Sequence, residues 1–215
     1  MGVLVTGVTG CAGAEPTEER HTAGASGRIS GEVVVFAAAS LTEVFGRLGR
    51  EFEAAHPGVQ VAFSFGGSSS LGPQVVAGAP ADVFAAASRQ TMARVAAGGA
   101  TDRRPVLFAR NRLQIAVPPG NPGDVHGLAD FARDELALAL CAPQVPCGAA
   151  ARRALSAAGV RARPDTLEQD VKAVLTKVEL GEVDAGLVYR SDVRAAGDRV
   201  HGIGFPAAAQ AVNDY

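Results

Sequence analysis

The stretch VVVFAAASLTEVF, residues Val33–Phe45, decides the fold class. It opens with a continuous apolar run, which is typical of a strand that is buried on both faces of a sheet. The run ends at Ser40, and Glu43 follows at the third position after it. This spacing predicts a capping box, in which the serine hydroxyl and the glutamate carboxylate satisfy free amides at the start of a helix. Because a buried strand passes directly into a helix, the stretch predicts an α/β fold.

The same alternation of strands and helices continues along the chain. Further strands are predicted at 59–65, 82–87, 106–117, 136–141, 184–189 and 200–205. The turn-rich stretch PPGNPGD, residues 118–124, divides this pattern into two blocks. Two such blocks predict a doubly wound α/β protein with a cleft between two lobes. We expect the first lobe at 32–113, the second at 114–210, and the start of a return crossover to the first lobe at 211–215.

The composition excludes two classes of protein. The chain has 215 residues, of which 47% are hydrophobic, and a formal net charge of -2. No basic stripe is visible, which argues against a nucleic-acid binder. No apolar run reaches the roughly 18 residues that a membrane-spanning helix needs.

A second stretch, SFGGSSSL at residues Ser64–Leu71, concentrates small hydroxyls and bare amides after a predicted strand. A flexible linker, a nucleophile turn and a donor cradle for an anion are the alternatives. A nucleophile turn needs the pattern G-x-S-x-G, which is not met at Ser68. The chain also lacks a G-x-x-x-x-G-K-[ST] phosphate loop and a metal-binding pair of histidines. We therefore predict no catalytic residues, no metal site and no enzymatic activity.

Four predicted helix starts that follow strands are poor in charge and rich in donors: 37–41, 65–71, 145–149 and 170–171. A helix start offers free backbone N–H groups and the positive end of the helix dipole, so a cleft lined by several of them favours an anion. Tyr189, at the end of another strand, adds a neutral phenolic donor. Each feature alone has an ordinary explanation as a cap or a turn. Their coincidence favours an anion site.

The three cysteines fall into two groups. Cys11 ends a short apolar run, as the lipidated cysteine of a bacterial lipoprotein signal does, but no Lys or Arg precedes the run. Residues 1–31 are interpreted as such a signal with a flexible tether, and an incidental cysteine in a tail is the alternative. Cys141 and Cys147 remain as an even pair in CAPQVPCG. A disulfide is favoured for an exported protein, and a metal pair is the alternative, although the spacing is not that of a zinc site.

The blocks VVVFAAASLTEVF, FSFGGSSSLGPQVVAGAPADVFAAAS and GEVDAGLVYRSDV resemble the periplasmic molybdate-binding proteins of ABC transporters. The similarity covers roughly residues 32 to 215, and the first two blocks carry most of its specificity. CAPQVPCG looks like the actinobacterial version, in which a cysteine pair frames the third ligand loop. The resemblance implies a two-lobe periplasmic-binding-protein fold of type II, with the ligand between the lobes.

The resemblance also implies a set of ligand contacts for a tetrahedral oxyanion. They are the hydroxyls of Ser40, Ser68 and Tyr189 and the backbone amides of Cys147 and Val171. Cys147 stands where the family often has alanine, so its amide and not its side chain is expected to bind.

Further expectations follow from the same resemblance. The ligand is molybdate or tungstate, with no cofactor, and the partners are an ABC permease and its ATPase. The protein is expected to be an extracytoplasmic monomer, anchored to the membrane by lipid on Cys11. Family members continue past Tyr215 with a strand and helices, so part of the first lobe is expected to be missing. The alternatives are a receptor for another oxyanion such as sulfate, and an effector-binding regulatory domain.

Overall fold

The computed structural model of the protein describes residues 29–215. The predicted lipidation site Cys11 and nearly all of the predicted tether lie outside the described residues. The described chain contains sheets of three, two and five strands. None of the helices in this part of the chain combines the length and the apolar character needed to cross a membrane.

The three-stranded sheet, called the small sheet below, comes first in the chain. Its strands are β1 (Gly31–Ala38), β2 (Val59–Gly66) and β3 (Val83–Ala85), and they are parallel in the order β2-β1-β3. Its helices are α1 (Thr42–Ala55), α2 (Ser68–Val76) and α3 (Arg89–Ala97). The central position of β1 explains its continuous apolar run, since separate apolar clusters pack on the two faces of the sheet.

The five-stranded sheet, called the large sheet, holds the larger core. Its strands are β5 (Leu113–Val117), β6 (Leu138–Cys141), β7 (Thr166–Glu168), β8 (Ala185–Tyr189) and β9 (His201–Ile203). The order is β7-β6-β8-β5-β9, with β5 antiparallel to both of its neighbours. Three helices accompany this sheet: α4 (Pro146–Ala158), α5 (Val171–Glu179) and α6 (Arg190–Ala196).

A short ribbon lies between the two sheets. Its strands are β4 (Arg110–Asn111) and β10 (Asn213–Asp214), which pair antiparallel. Backbone hydrogen bonds of Tyr215 with Phe108 and Ala109 extend this pairing. We call β4, β10 and Tyr215 the crossing ribbon. It returns the end of the described chain to the small sheet, where Tyr215 packs in the core.

The α/β fold predicted from the sequence is confirmed, and several details are corrected. The capping box at Ser40 was wrong, because Ala39–Leu41 already form a 3-10 turn and α1 begins at Thr42 without a side-chain cap. The strand predicted over 106–117 is confined to β4 and β5. The strand β7 and the helix α6 were not predicted.

An ionic triad connects the half of the molecule that contains the small sheet with the half that contains the large sheet. Lys172 Nζ on α5 lies 2.7 and 2.9 Å from the two carboxylate oxygens of Glu43 on α1. The same ammonium lies 3.0 Å from Asp192 Oδ1, though without the directed geometry of a hydrogen bond. Asp192 is completely buried, and its other oxygen accepts a hydrogen bond from the Tyr189 amide at 3.0 Å.

Burial sets the protonation of this triad. It raises the pKa of Asp192 to about 6, because the opposing effects of Lys172 and the Tyr189 amide are smaller. Burial alone would lower the pKa of Lys172, but Asp192 and Glu43 outweigh it and raise that pKa. The triad therefore keeps its cation, while the ionised form of Asp192 is costly.

Replacing Asp192 with Asn should remove this cost. The folded protein holds the Asp192 proton more tightly than the unfolded chain does, so stability from this group is lost as the pH rises from about 4 through about 6. At about 1.4 kcal/mol per pKa unit, the loss is about 3 kcal/mol. We expect the free energy of unfolding of Asp192→Asn, minus that of the unaltered protein, to increase by about 3 kcal/mol as the pH rises from about 4 through about 6. Urea denaturation at several pH values measures it, and a constant difference would contradict the assignment.

Candidate functional site

A small cavity lies where the two halves of the molecule face each other. The ends of β1 and β2 and the start of α2 line one side, and the starts of α4 and α5 and the end of β8 line the other. The volume of this cavity is about 10 Å³. Such a space holds about one water molecule and lies far below the roughly 300 Å³ or more of pockets for drug-sized ligands, so large ligands are excluded.

The structure brings all five predicted contact residues to this cavity. Its lining includes Ser40, Ser68, Cys147, Val171 and Tyr189. All five are buried or nearly so. Residues from distant parts of the sequence therefore meet at one cavity.

Ser68 is the first residue of α2 and presents its hydroxyl at the helix start. Its Oγ accepts a hydrogen bond from the Ala87 amide at 3.0 Å. Because this amide occupies a lone pair of the oxygen, the hydroxyl hydrogen is free to be donated to a ligand.

The hydroxyls of Ser40 and Tyr189 are hydrogen-bonded to two residues of the crossing ribbon. Ser40 Oγ lies 2.7 Å from the hydroxyl of Tyr215. The Tyr189 hydroxyl accepts a hydrogen bond from Asn213 Nδ2 at 2.6 Å. Burial raises the pKa of Tyr189 well above its usual value of 10, so the phenol stays neutral and keeps its hydrogen.

The start of α4 contributes backbone amides because of its local sequence. Pro146, the first residue of α4, has no N–H, and the Ala149 amide already bonds to Val145 O. The amides of Cys147 and Gly148 are thus left for other acceptors. The predicted disulfide between Cys141 and Cys147 is present, and it ties this helix start to the end of β6.

The start of α5 leaves one particular amide available. The carboxylate of Asp170 caps the helix, with Oδ1 accepting from the amides of Lys172 at 2.8 Å and Ala173 at 3.0 Å. Of the first-turn donors, the Val171 amide therefore remains for a ligand. The capping bonds also turn Oδ1 of Asp170 toward its own helix.

The electrostatics of the cavity favour an anion without supplying a cation. Asp170 is the one charged residue in the cavity lining. The positive dipole ends of α2, α4 and α5 meet here, each contributing donors from its first turn. Such a site suits a small ligand whose atoms all accept hydrogen bonds.

Gly67 sets how closely the two halves approach each other at the cavity. A Cβ atom added at Gly67 would lie 2.4 Å from Gln169 O and 3.6 Å from Asp170 Cβ on the opposite side. Carbon and oxygen do not approach to such a distance in folded proteins, so a side chain here would force the halves apart.

Sequence reasoning missed four contributors to the site: Gly67, Ala87, Asn213 and Tyr215. The Gly-Gly pair before the serines was a signal of close backbone approach that could have identified Gly67. No local pattern distinguishes Asn213 and Tyr215, because their roles depend on contacts with residues far away in sequence.

Comparison with known proteins agrees with this geometry. Residues 33–215 match the family described as bacterial extracellular solute-binding protein. The molybdate-binding protein ModA of Mycobacterium tuberculosis H37Rv is 41% identical over 213 residues, covering 99% of this chain and 80% of that protein. ModA of Escherichia coli K12 is 34% identical over 185 residues, covering 77% and 68%.

A solved structure supports the fold. The periplasmic molybdate-binding protein of Azotobacter vinelandii matches with a TM-score of 0.62 at 24% identity, covering 73% of this chain and 71% of the other. Together with the sequence matches to ModA, this likeness leads to one conclusion: the chain belongs to the family of periplasmic molybdate-binding proteins of ABC transporters.

Proposed function

We propose that this protein binds molybdate, and tungstate in the same way, in the cavity between its two halves. The observation that carries the proposal is the convergence of Ser40, Ser68, Cys147, Val171 and Tyr189 on one small cavity. These residues are the contact set that the family resemblance implies. The protein binds its ligand without catalytic turnover.

The chemistry of the donors supports a fully deprotonated oxyanion. Molybdate and tungstate carry two negative charges near neutral pH, and all of their oxygens accept hydrogen bonds. Three hydroxyls and two backbone amides offer the donors that such an ion requires. Monohydrogen phosphate would also need an acceptor for its proton, whereas the five proposed contact groups are offered as donors.

The proposal extends to transport. The two halves close around the anion, and the loaded protein docks as a monomer on an ABC permease whose separate ATPase supplies the energy. Lipid on Cys11 holds the protein at the outer face of the membrane. Blocking lipoprotein processing with globomycin and then fractionating the membranes tests this anchor.

Calorimetric titration of the purified chain tests the ligand. Molybdate, tungstate, sulfate and phosphate are titrated in parallel at neutral pH. We expect tight binding of molybdate and tungstate and much weaker binding of sulfate and phosphate. A preference for sulfate would assign the cavity to sulfate, and the absence of binding by all four anions would refute an oxyanion receptor.

Replacing Ser68 with Ala should weaken molybdate binding. A buried oxyanion then loses one hydroxyl donor, which costs about 1–3 kcal/mol, or roughly a 5- to 150-fold rise in Kd. Ser70→Ala is the matched control, since Ser70 Oγ donates to Gly67 O and does not line the cavity. Equal affinities of Ser68→Ala and Ser70→Ala would remove Ser68 from the site.

Replacing Gly67 with Ala should also weaken molybdate binding, by about tenfold or more, because the added Cβ overlaps with Gln169 O. Gly204→Ala is the control, since no atom lies within 4 Å of a Cβ added there. Titration calorimetry measures the affinities and thermal denaturation confirms folding. A folded Gly67→Ala protein with unchanged affinity would show that the halves need not approach this closely.

A further inference from the structure

We propose that Asn213 and Tyr215 are positioning residues that aim the hydroxyls of Tyr189 and Ser40 at the ligand. This inference rests on the proposed function, since it concerns the same cavity. Neither residue belongs to the cavity lining, and both are buried, at 3% and 7% exposure. They act on the ligand only through the hydroxyls that they contact.

The hydrogen bonds of Asn213 fix the orientation of its side-chain amide. Nδ2 lies 2.9 Å from Ala87 O and 3.2 Å from Pro146 O. Both partners are carbonyl oxygens, so the atom facing them must be the donor nitrogen. On the other side, Oδ1 accepts a hydrogen bond from Arg153 Nη2 at 3.2 Å.

This orientation determines the direction of the Tyr189 hydroxyl. An amide nitrogen has no lone pair to offer, so the 2.6 Å contact between Asn213 Nδ2 and the Tyr189 hydroxyl must run from Asn213 to Tyr189. The two hydrogens of Nδ2 serve three acceptor oxygens, so one of them is shared in a three-centre bond. The phenolic oxygen is thus an acceptor in this bond. The hydrogen of Tyr189 is left for an acceptor in the cavity that Tyr189 lines.

Tyr215 plays the corresponding part for Ser40. Geometry alone allows either hydroxyl to donate across their 2.7 Å contact. When an anion with only acceptor atoms occupies the cavity, Ser40 donates to the anion and therefore accepts from Tyr215. Burial raises the pKa of Tyr215 to about 12, which keeps this donor protonated.

The position of the crossing ribbon lets Asn213 contact both halves of the molecule. Asn213 contacts a carbonyl after β3 and another at the start of α4, so one side chain reaches both halves of the molecule. Ala87, whose carbonyl accepts from Asn213, also gives its amide to Ser68. All three ligand hydroxyls are therefore in direct or indirect contact with Asn213 or Tyr215.

Double-mutant cycles measured by titration with molybdate test the inference. Tyr215→Phe keeps the aromatic ring and removes only the hydroxyl, so we expect Kd to rise about tenfold in the unaltered background. In the Ser40→Ala background the same change should alter Kd less than about twofold, because no hydroxyl remains to be aimed. A purely structural role of Tyr215 would give the same loss in both backgrounds.

A second cycle tests Asn213 independently. Asn213→Asp keeps the shape but replaces the donor with an acceptor, which draws the Tyr189 hydrogen away from the cavity. We expect a rise in Kd of at least tenfold, and a markedly smaller effect in the Tyr189→Phe background. Ser191→Ala is the control, since it removes a hydroxyl that contacts Asn111 of the same ribbon outside the cavity lining.

The results separate this inference from the function on which it rests. If the unaltered protein binds molybdate and the losses in both cycles are additive or absent, the inference is wrong while the proposed function stands. If the unaltered protein binds no molybdate, the proposed function fails and the inference fails with it. Thermal denaturation of each variant confirms that the affinities refer to folded protein.

Discussion

A buried hydroxyl is held as a donor to an acceptor-only ligand when its own oxygen accepts a hydrogen bond from another group, which also strengthens the donated bond. The cavity meets this condition at Ser68 and Tyr189 and, under the proposed function, at Ser40. The Ala87 amide donates a hydrogen bond to Ser68, and the Asn213 side chain donates one to Tyr189. The Tyr215 hydroxyl is hydrogen-bonded to Ser40. The remaining donors are backbone amides, whose direction is fixed by the starts of α4 and α5. The proposed site for a doubly charged ion would thus depend on an outer layer of donors as much as on the residues that line the cavity.

The charged groups at and beside the cavity are engaged with other groups of the protein. Lys172 follows a contact residue directly, yet its ammonium lies between Glu43 and Asp192. Asp170 lines the cavity, but its Oδ1 accepts hydrogen bonds from two amides of its own helix. Ionic interactions therefore help to hold the halves of the molecule together, while the hydrogen-bond donors and helix dipoles face the cavity.

The strand–helix order could be predicted from the sequence, because it depends on local patterns. The five predicted contact residues line one cavity, and their binding of a ligand stays a prediction. The apolar run before Ser40 and the serines after β2 mark helix starts that follow strands, and the family resemblance supplies the rest of the contact set. The same local reasoning failed at the Ser40 cap, since a 3-10 turn precedes α1 and the hydroxyl bonds to Tyr215 instead. Contacts across 175 or 126 positions, such as those of Tyr215 and Asn213, leave no periodic signal.

The disulfide between Cys141 and Cys147 closes a ring across a sequence separation of 6. A ring of this size can adopt few conformations even before a ligand arrives. The amide of Cys147 is therefore preorganised, and little conformational entropy remains to be lost when it engages an oxygen. In the proposed function, a larger part of the free energy of that hydrogen bond is then available for affinity.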